Sequence, residues 1–213
     1  MPSLSVKEIL DANLDDWRLL AQGLHARFST GDFLAGVRFV SQLAEAAEAA
    51  NHHPDVTLTY PHVDIKLISH DVGQVTDRDL DLAREISAIA SAAGIASTPE
   101  TLSQFELALD TADRELVGPV WAALLTGNPD VLDGDDIVDP GGRSPNLWFQ
   151  STDSRAQERQ RFHIDLWVPH DQMQNRIETA VAAGGRIVDE APSFVVIADA
   201  EGNKACVCSC INR

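Results

Sequence analysis

Positively charged side chains are scarce in this sequence of 213 residues. It holds 16 lysines and arginines against 33 aspartates and glutamates, which gives a formal net charge of -17 at pH 7. A surface with this balance repels phosphate backbones, so we expect no binding to nucleic acid through a basic face. The excess of negative charge is expected to keep the protein soluble.

Long apolar runs are also absent, although 44% of the residues are hydrophobic. No segment approaches the roughly 20 apolar residues that span a bilayer. The first residues, MPSLSVKEILDANLDDW, are polar and acidic and lack the apolar stretch of a signal peptide. These absences predict a cytoplasmic protein without membrane contact, whose length allows one large domain or two small ones.

Cysteine is limited to three residues, Cys206, Cys208 and Cys210. An odd number in one short segment argues against a disulfide framework. Strand alternation would place all three on one face of a terminal strand. Without further ligands the run is a weak metal signal, and we interpret the three as small buried residues.

The first half of the chain has three segments of helical character. A short helix is predicted from Val6 to Ala12. The range Asp32–Ala50 repeats its apolar residues at helical spacing, and Ser29, three residues before Asp32, suggests a capping box. Another helix is predicted from Thr76 to a stop at Gly94, with Asp79 three residues after its start.

Strand periodicity occurs between and before these helices. Apolar and polar residues alternate from Val56 to Tyr60 and, after a break at Pro61, from Val63 to Leu67, which predicts a half-buried antiparallel pair. Residues 17–28 are expected to be extended, with a turn at Gly23. The first domain, residues 1–96, is therefore predicted as an α+β layer of two long helices beside an antiparallel sheet.

The second half predicts another domain, residues 102–213, after a linker at Ile95–Thr101. A strand, helix and further strands occur twice, with Glu106 aligned on His163, so we expect two βαβββ modules. The predicted helices are Asp113–Leu125 and Gln172–Ala183. The predicted strands are Phe105–Leu109, Asn146–Gln150, His163–Val168, Phe194–Ala198 and Ala205–Cys210, with a loop at Gly127–Pro145 and a turn at Glu201–Asn203.

Four of the seven histidines lie between His52 and His70. Imidazole changes charge near neutral pH, so clustered histidines suit proton transfer in both directions. Pro54 favours an extended His53, and adjacent extended residues point to opposite sides, so His52 and His53 are expected to face different surroundings. A hairpin would bring His70 back to this pair.

Two other histidines are not expected to join this site. His62 lies eight residues before His70, which is about 26 Å along an extended strand. His25 lies outside the cluster, and we expect an ordinary surface or core role for it. An alternative for the cluster itself is that His52-His53-Pro54 only ends a helix and begins a strand.

The spacing of these residues resembles the signature of the pterin-4a-carbinolamine dehydratases. Glu48-x-x-x-His52-His53-Pro54 is followed by Tyr60, His70 and Asp79, and the flanking segments FSTGDFLAGVRFVSQLAEAAEAANHHPDVTLTY and SHDVGQVTDRDLDLAREI agree with it. The resemblance covers roughly residues 14–94, and its motif fixes seven residues at fixed spacings.

This resemblance implies a hydro-lyase, a 4a-hydroxytetrahydrobiopterin dehydratase of tetrahydrobiopterin metabolism. A 4a-hydroxytetrahydropterin loses its C4a hydroxyl and its N5 proton, which gives quinonoid dihydropterin and water. By position, the catalytic residues are His52, His53 and His70, and which is acid and which is base stays open. No metal or organic cofactor is implied, and a pterin substrate and a homo-oligomer are expected.

Four further positions match the family pattern as supporting or substrate-binding residues: Glu48, Pro54, Tyr60 and Asp79. Glu48 is either a solvated helix residue or a charge partner that orients His52. We favour a capping role for Asp79 and a core position for Tyr60 at the pocket border.

The sequence departs from the family pattern at three positions. Ser69 replaces the usual threonine and Tyr60 a frequent tryptophan. Gln74 replaces a turn glycine, and glycine tolerates backbone conformations that glutamine does not. None of these departures removes a catalytic residue.

Residues 103–213 resemble the glyoxalase/bleomycin-resistance superfamily, also called vicinal oxygen chelate. The segments that carry the likeness are FELALDTADRELVGPVWAALLTG, RFHIDLWVP and AAGGRIVDEAPSFVVIADAEGNKACVC. Members of that superfamily bind a divalent metal at positions that fall here on Glu106, Trp148, His163 and Cys206. Trp148 cannot ligate and Cys206 is an unusual ligand for a hard metal, so we expect no tightly bound metal.

Three functions are therefore open for the whole chain. The first is a pterin dehydratase with an added glyoxalase-like domain. The second is a non-catalytic dimerisation or assembly module, which would not need three histidines at these spacings. The third is small-molecule binding or a metal-dependent activity in the second domain, with ordinary contacts for His163 as the alternative there.

Overall fold

The computed structural model describes residues 2–21, 23–126, 128–139, 141–142, 144–153, 162–198 and 204–211. The chain divides into two compact units. Unit 1 comprises Met1–Ser103, Val168–Gln172 and Ser209–Arg213, and unit 2 comprises Gln104–Trp167 and Met173–Cys208. Among the described residues, no helix combines the length and the apolar character that crossing a bilayer requires.

Unit 1 is built on an antiparallel sheet of five strands with the order β1-β2-β4-β3, and β5 also pairs with β2. Its elements in chain order are α1 (Val6–Asp11), β1 (Arg18–Leu20), β2 (Gly23–Ser29), α2 (Phe33–Ala50), β3 (Asp55–Thr59), β4 (His62–Leu67), α3 (Asp77–Ala92) and β5 (Ala96–Ser97), followed by a 3-10 turn at Pro99–Thr101. The predicted α+β class is thus confirmed.

The core of unit 1 lies between the two long helices and one face of this sheet. Strand alternation turns the apolar residues of β2 and β4 inward, and they pack with buried residues of α2 and α3. The rings of Phe28 on β2 and Phe39 on α2 meet edge to face, with centroids 5.2 Å apart. Each such large side chain contributes about 1.5–3 kcal/mol by leaving water.

The two helix starts differ in how well the sequence predicted them. The capping box at Thr76 is confirmed, since Thr76 and Asp79 exchange hydrogen bonds at the start of α3. The capping box at Ser29 is wrong. Ser29 ends β2, and the side chain of Asp32 caps α2 by accepting from the Ala35 amide at 2.8 Å. Asp32 is already extended, so its own carboxylate reaches the free amide groups.

The segment Ile95–Thr101, predicted as a linker, is instead part of unit 1. Ile95 packs against the core, and Ala96–Ser97 pairs with the end of β2. The Thr98 amide donates to the Arg27 carbonyl at 2.9 Å. These residues looked like a linker because a two-residue strand leaves no periodic pattern.

Unit 2 contains a sheet with the order β11-β12-β13-β10-β6-β9-β8-β7. Its elements are β6 (Gln104–Thr111), α4 (Arg114–Thr126), β7 (Leu132–Asp133), β8 (Asp136–Ile137), β9 (Asn146–Ser151), β10 (Phe162–Trp167), α5 (Met173–Ala182) after a 3-10 turn at His170–Gln172, β11 (Arg186–Ala191), β12 (Phe194–Ala198) and β13 (Lys204–Cys208). Two βαβββ modules, β6 to β9 and β10 to β13, meet where β6 pairs antiparallel with β10.

Three strands of unit 2 were not anticipated from the sequence. The predicted loop at Gly127–Pro145 contains the short pair β7 and β8, and β11 follows the Gly184-Gly185 helix stop. The predicted turn at Glu201–Asn203 lies outside the described residues. Short strands and a half-exposed strand give weak alternation, which is why they were missed.

The three cysteines were predicted to be small buried residues on one face of the terminal strand, and the structure confirms this only in part. None of the three forms a disulfide within the described part of the chain, and Cys208 and Cys210 are buried while Cys206 is half-buried. Alternation places Cys206 and Cys208 on one face of β13, but the strand ends at Cys208, so Cys210 lies beyond it. The prediction of three cysteines on one strand is therefore wrong for the third.

Candidate functional site

His52 is turned into the protein by the way α2 ends. Asn51 adopts a left-handed conformation, and the His52 amide then folds back to donate to the Ala47 carbonyl at 3.1 Å. The His52 side chain is only 6% exposed. The helix stop that the sequence suggested therefore also positions a histidine.

Asp79, in the first turn of α3, is the hydrogen-bond partner of His52. Its side chain is 0% exposed, and its Oδ1 lies 2.7 Å from Nε2 of His52. Its other oxygen, Oδ2, accepts from the Thr76 amide at 2.8 Å and from the Ser69 hydroxyl at 2.7 Å. Asp79 thus caps α3, as predicted, and also holds His52.

The contact with Asp79 selects one form of the His52 ring. An ionised carboxylate can only accept hydrogen bonds, so Nε2 of His52 carries the hydrogen. In the neutral ring Nδ1 is then the acceptor nitrogen. A buried histidine held this way has a defined orientation and a defined tautomer.

His53 lies in different surroundings from His52, as we expected from the extended conformation that Pro54 favours at His53. Its side chain is exposed, and its Nε2 lies 3.3 Å from Oε1 of Glu48, which is also exposed. Glu48 therefore contacts His53 and not His52, the partner considered for it from the sequence. Pro54 follows directly and leads into β3.

His70 is exposed and lies in the turn after β4. The preceding residue, Ser69, forms a bridge with Gln74 and donates its hydroxyl to Asp79. Gly73 has a φ of 68°, so the left-handed position of this turn falls on a glycine. Gln74 at the family's glycine position therefore causes no backbone conflict here.

Asp79 contacts one residue before β3 and one residue after β4, at the open end of the β3–β4 hairpin. His52 and Ser69 donate to the two oxygens of the same carboxylate, at 2.7 Å each. His53 and His70 are the next residues along the chain. Of the three predicted histidines, His52 contacts Asp79 directly, whereas His53 and His70 each follow a residue that does.

A pocket of about 420 Å³ opens between α2 and α3 next to His52. Its wall combines small residues with charged ones: Ala46, Ala49, Ala50, His52, Arg78, Asp81, Leu82 and Glu85. Arg78, which also pairs with Asp71, was missed in the sequence. Its position next to Asp79, in the first turn of the predicted helix α3, could have indicated that it lies near the site.

Tyr60 does not join these residues. It lies in the turn between β3 and β4, at the opposite end of the hairpin from His53, and is 70% exposed. The five residues of β3 lie between the two ends of the hairpin, and the strand spans about 13 Å from its first residue to its last. The prediction that Tyr60 is a core residue beside the pocket is therefore wrong for the isolated chain.

The two excluded histidines also lie away from the site. His62 begins β4, far from His70, with its Nε2 3.7 Å from Asp64. His25 lies on β2 opposite Lys66 of β4, and its Nε2 is buried with no hydrogen-bond partner among the described residues. Burial, with a smaller effect of the Lys66 charge, lowers the pKa of His25 to about 3.

The residues expected as metal positions in unit 2 have other partners. Glu106 is 4% exposed and accepts from Asn146 at 3.0 Å and from the Trp167 indole at 2.8 Å. His163 lies 3.1 Å from Asp110. The Trp148 indole donates to Asp165 at 3.0 Å. Among the described residues, no three side chains of the ligating types are grouped to hold a metal ion.

A second pocket, of about 430 Å³, lies in unit 2. It is lined by Asp110, His163, Val188, Asp189, Val196, Lys204, Ala205 and Cys206. The paired His163 and Asp110 give it one polar side, and the valines give it an apolar side. It has the dimensions of a small-molecule site.

Unit 1 is thus a small α+β domain with a buried histidine–aspartate pair, His52 and Asp79. Residues 2–89 match the family described as pterin 4 alpha carbinolamine dehydratase, and residues 106–208 match a glyoxalase-like domain. The chain belongs to the pterin-4a-carbinolamine dehydratase family and carries a glyoxalase-like domain after it.

Two known proteins and one crystal structure are similar to part of this chain. One from Thermosynechococcus vestitus, provisionally named pterin-4-alpha-carbinolamine dehydratase, is 42% identical over 37% of this chain and 83% of its own length. One from Acidobacterium capsulatum with the same provisional name is 40% identical over 42% of this chain and 99% of its own length. A crystal structure from Brucella melitensis, described as transcriptional coactivator/pterin dehydratase, has 32% identity and a TM-score of 0.40 over 42% of this chain and 99% of that one.

Proposed function

We propose that unit 1 dehydrates a 4a-hydroxytetrahydropterin to quinonoid dihydropterin and water. The C4a–O bond breaks, the leaving hydroxyl takes a proton, and N5 gives up a proton as a C=N bond forms. One group must donate a proton and another must accept one. Histidine serves both purposes near neutral pH.

The observation that carries this proposal is the shared carboxylate of Asp79. It accepts from His52 on one oxygen and from Ser69 on the other, and His53 and His70 are the residues that directly follow these two along the chain. An assembly module would have no need of a buried acid that orients a histidine. A proton-transfer site needs such an arrangement, because the groups must be held in place before the substrate arrives.

The histidines have different parts in this proposal. His52 is buried and held in one tautomer, so its Nδ1 contacts the substrate or accepts a proton from it. His53 is exposed, and so is His70, so both can exchange protons with water after each turnover. Glu48 contacts His53 and orients its ring.

The pocket next to His52 is proposed as part of the pterin site. Arg78 lines it and supplies hydrogen-bond donors, and the alanines of α2 give it an apolar side against which a ring can pack. Pro54 supports the site by extending the chain at His53. Tyr60 has no part in this proposal.

We further propose that the protein is a cytoplasmic homo-oligomer. The first turns of α2 expose three apolar side chains, Phe33, Leu34 and Val37. Contiguous exposed apolar residues are typical of an association surface. Analytical ultracentrifugation tests this, and a monomeric mass at micromolar concentration would contradict it.

The dehydratase proposal is tested with 4a-hydroxytetrahydropterin generated by a hydroxylase in the same cuvette. The absorbance of quinonoid dihydropterin is followed for the parent and for His52→Ala, His53→Ala and His70→Ala. We expect each variant to lose about a hundredfold or more in rate. His62→Ala is the matched control, since it removes a histidine from the far end of β4, and it should keep the parent rate. A folded parent at the uncatalysed rate would refute the proposal and leave assembly as the function of unit 1.

A second candidate function rests on the pocket of unit 2. We propose that it binds a small molecule with a polar end directed at His163 and an apolar body against the valines. A fragment screen by ligand-observed NMR tests it, with Val196→Trp as a variant that fills the pocket. Metal analysis of the purified protein distinguishes this from a metal-dependent activity.

A further inference from the structure

Two buried hydroxyl groups lie behind the His52–Asp79 pair. The side chains of Ser69 and Thr76 are fully buried, and their oxygens are 2.8 Å apart. The Ser69 hydroxyl lies 2.7 Å from Oδ2 of Asp79, whereas that of Thr76 lies 3.3 Å from the same atom. Ser69 therefore makes the better contact with the carboxylate.

The directions of these hydrogen bonds follow from counting donors. Each hydroxyl has one hydrogen to donate, and the carboxylate has none. Since Ser69 donates to Asp79, its oxygen is free to accept from Thr76, which in turn accepts from the Arg78 amide at 3.3 Å. The hydroxyls of Thr76 and Ser69 thus form one directed chain that ends on Asp79.

We propose that Ser69 is a positioning residue for His52, acting through Asp79. Its hydroxyl and the Thr76 amide together fix Oδ2, so that Oδ1 is directed at Nε2 of His52. Ser69 thereby maintains the tautomer in which Nδ1 of His52 is the acceptor. The effect on dehydration rests on the proposed function, whereas the effect on the histidine ring does not.

A merely structural role for Ser69 makes a different prediction. The loss of a buried hydroxyl then lowers the free energy of unfolding and leaves the His52 ring as it was. Ser87 provides the comparison within unit 1, because its hydroxyl accepts from the Trp17 indole at 3.1 Å in the partly buried interior. Ser87 is two helical turns along α3 from Asp79.

The test uses the full-length protein with 15N-labelled histidine. Long-range 1H–15N correlation spectra report which ring nitrogen carries the hydrogen, and a His52→Gln variant assigns the signal. In the parent and in Ser87→Ala we expect the Nε2–H form of His52. In Ser69→Ala we expect a mixture of both tautomers, and Ser69→Thr should restore the parent form because it restores the hydroxyl.

The dehydration assay gives the second readout. We expect Ser69→Ala to lower kcat about tenfold with KM within about twofold of the parent, because the pocket itself is unchanged. Ser69→Thr and Ser87→Ala should keep the parent kcat. If Ser69→Ala is too unstable to study, Ser69→Cys fills the space of the hydroxyl with a larger thiol, which is a weaker donor, and should show the same two changes.

Two results distinguish failure of this proposal from failure of the proposed function. If Ser69→Ala keeps the single Nε2–H form of His52, the positioning role is wrong, whatever the activity. If the parent shows no dehydratase activity while the tautomer of His52 still depends on Ser69, the positioning role stands and the proposed reaction falls.

Discussion

Nε2 of His52 and Oδ1 of Asp79 lie 2.7 Å apart, and the two side chains are 6% and 0% exposed. The same aspartate caps α3 through the Thr76 amide. In the sequence, the capping box alone is enough to explain Asp79. In the folded chain, Asp79 has a second partner, His52. This double role makes the start of α3 both a structural element and a part of the candidate site.

Asp79→Asn should lower the dehydration rate about a hundredfold. The amide keeps the shape of the side chain, but it presents an oxygen and an NH2 group where two acceptor oxygens are needed, so one partner of Asp79 loses its bond. The measurement is kcat/KM with the generated 4a-hydroxytetrahydropterin.

Asp77→Asn is the matched control for this change. Asp77 also lies in the first turn of α3 but is exposed, so its substitution should leave the rate unchanged. Equal losses in the two variants would mean that negative charge at the helix start, and not the contact with His52, determines the rate.

Glu48→Gln should affect activity but not stability. Both Glu48 and His53 are exposed, and exposed ion pairs contribute little to folding, so we expect Tm to change by less than about 1 °C. Loss of the carboxylate weakens the contact that orients the His53 ring, and the rate should fall about two- to fivefold. Glu45→Gln, on an exposed part of the same helix, serves as the control. A parent-like rate in Glu48→Gln would show that Glu48 is only a solvated residue.

Acidification should destabilise the protein through His25. Its pKa is about 3 in the folded chain, against an ordinary value of 6.5. Between these pH values the unfolded chain binds a proton that the folded chain does not, so the stability present above pH 6.5 is lost as the pH falls towards 3. The slope attributable to His25 is at most about 1.4 kcal/mol per pH unit.

Urea unfolding at pH 7, 6 and 5 measures this effect. The free energy of unfolding of His25→Leu should depend less on pH than that of the parent, because leucine does not titrate. Identical pH dependence in the two proteins would show that His25 is not buried in its neutral form.

Gly23→Ala should destabilise unit 1 by about 2 kcal/mol or more. Gly23 has a φ of 149°, and a Cβ atom there would lie 2.5 Å from the Leu67 carbonyl oxygen, which belongs to the backbone of β4. The neighbouring strand cannot move aside without losing its pairing with β2.

Gly31→Ala tests the cost of the backbone conformation alone, without a steric clash of the added Cβ atom. Gly31 has a φ of 77°, but an added Cβ would meet no atom within 4 Å. Thermal unfolding should therefore show a smaller loss, about 1 kcal/mol, for Gly31→Ala. Equal losses at both positions would mean that backbone conformation alone sets the cost.

Local patterns in the sequence predicted most of unit 1. The helical spacing of α2, the alternation of β3 and β4 and the capping box at Thr76 each depend on residues a few positions apart, and all three were confirmed. The short strands β5, β7 and β8 were missed, because two residues cannot show a period. The cap of α2 was misplaced, because Ser29 and Asp32 are both good capping residues and only the end of β2 decides between them.

The residue types of the candidate site, His52, His53 and His70, are determined by the sequence, together with the family to which they belong. Only the tertiary structure decides that His52 is buried and His53 exposed, and that Tyr60 lies at the other end of the hairpin. The contact between His52 and Asp79 joins residues 27 positions apart. Such a contact forms only when α3 packs beside the end of α2, because the environment of a side chain depends on what the rest of the chain places around it.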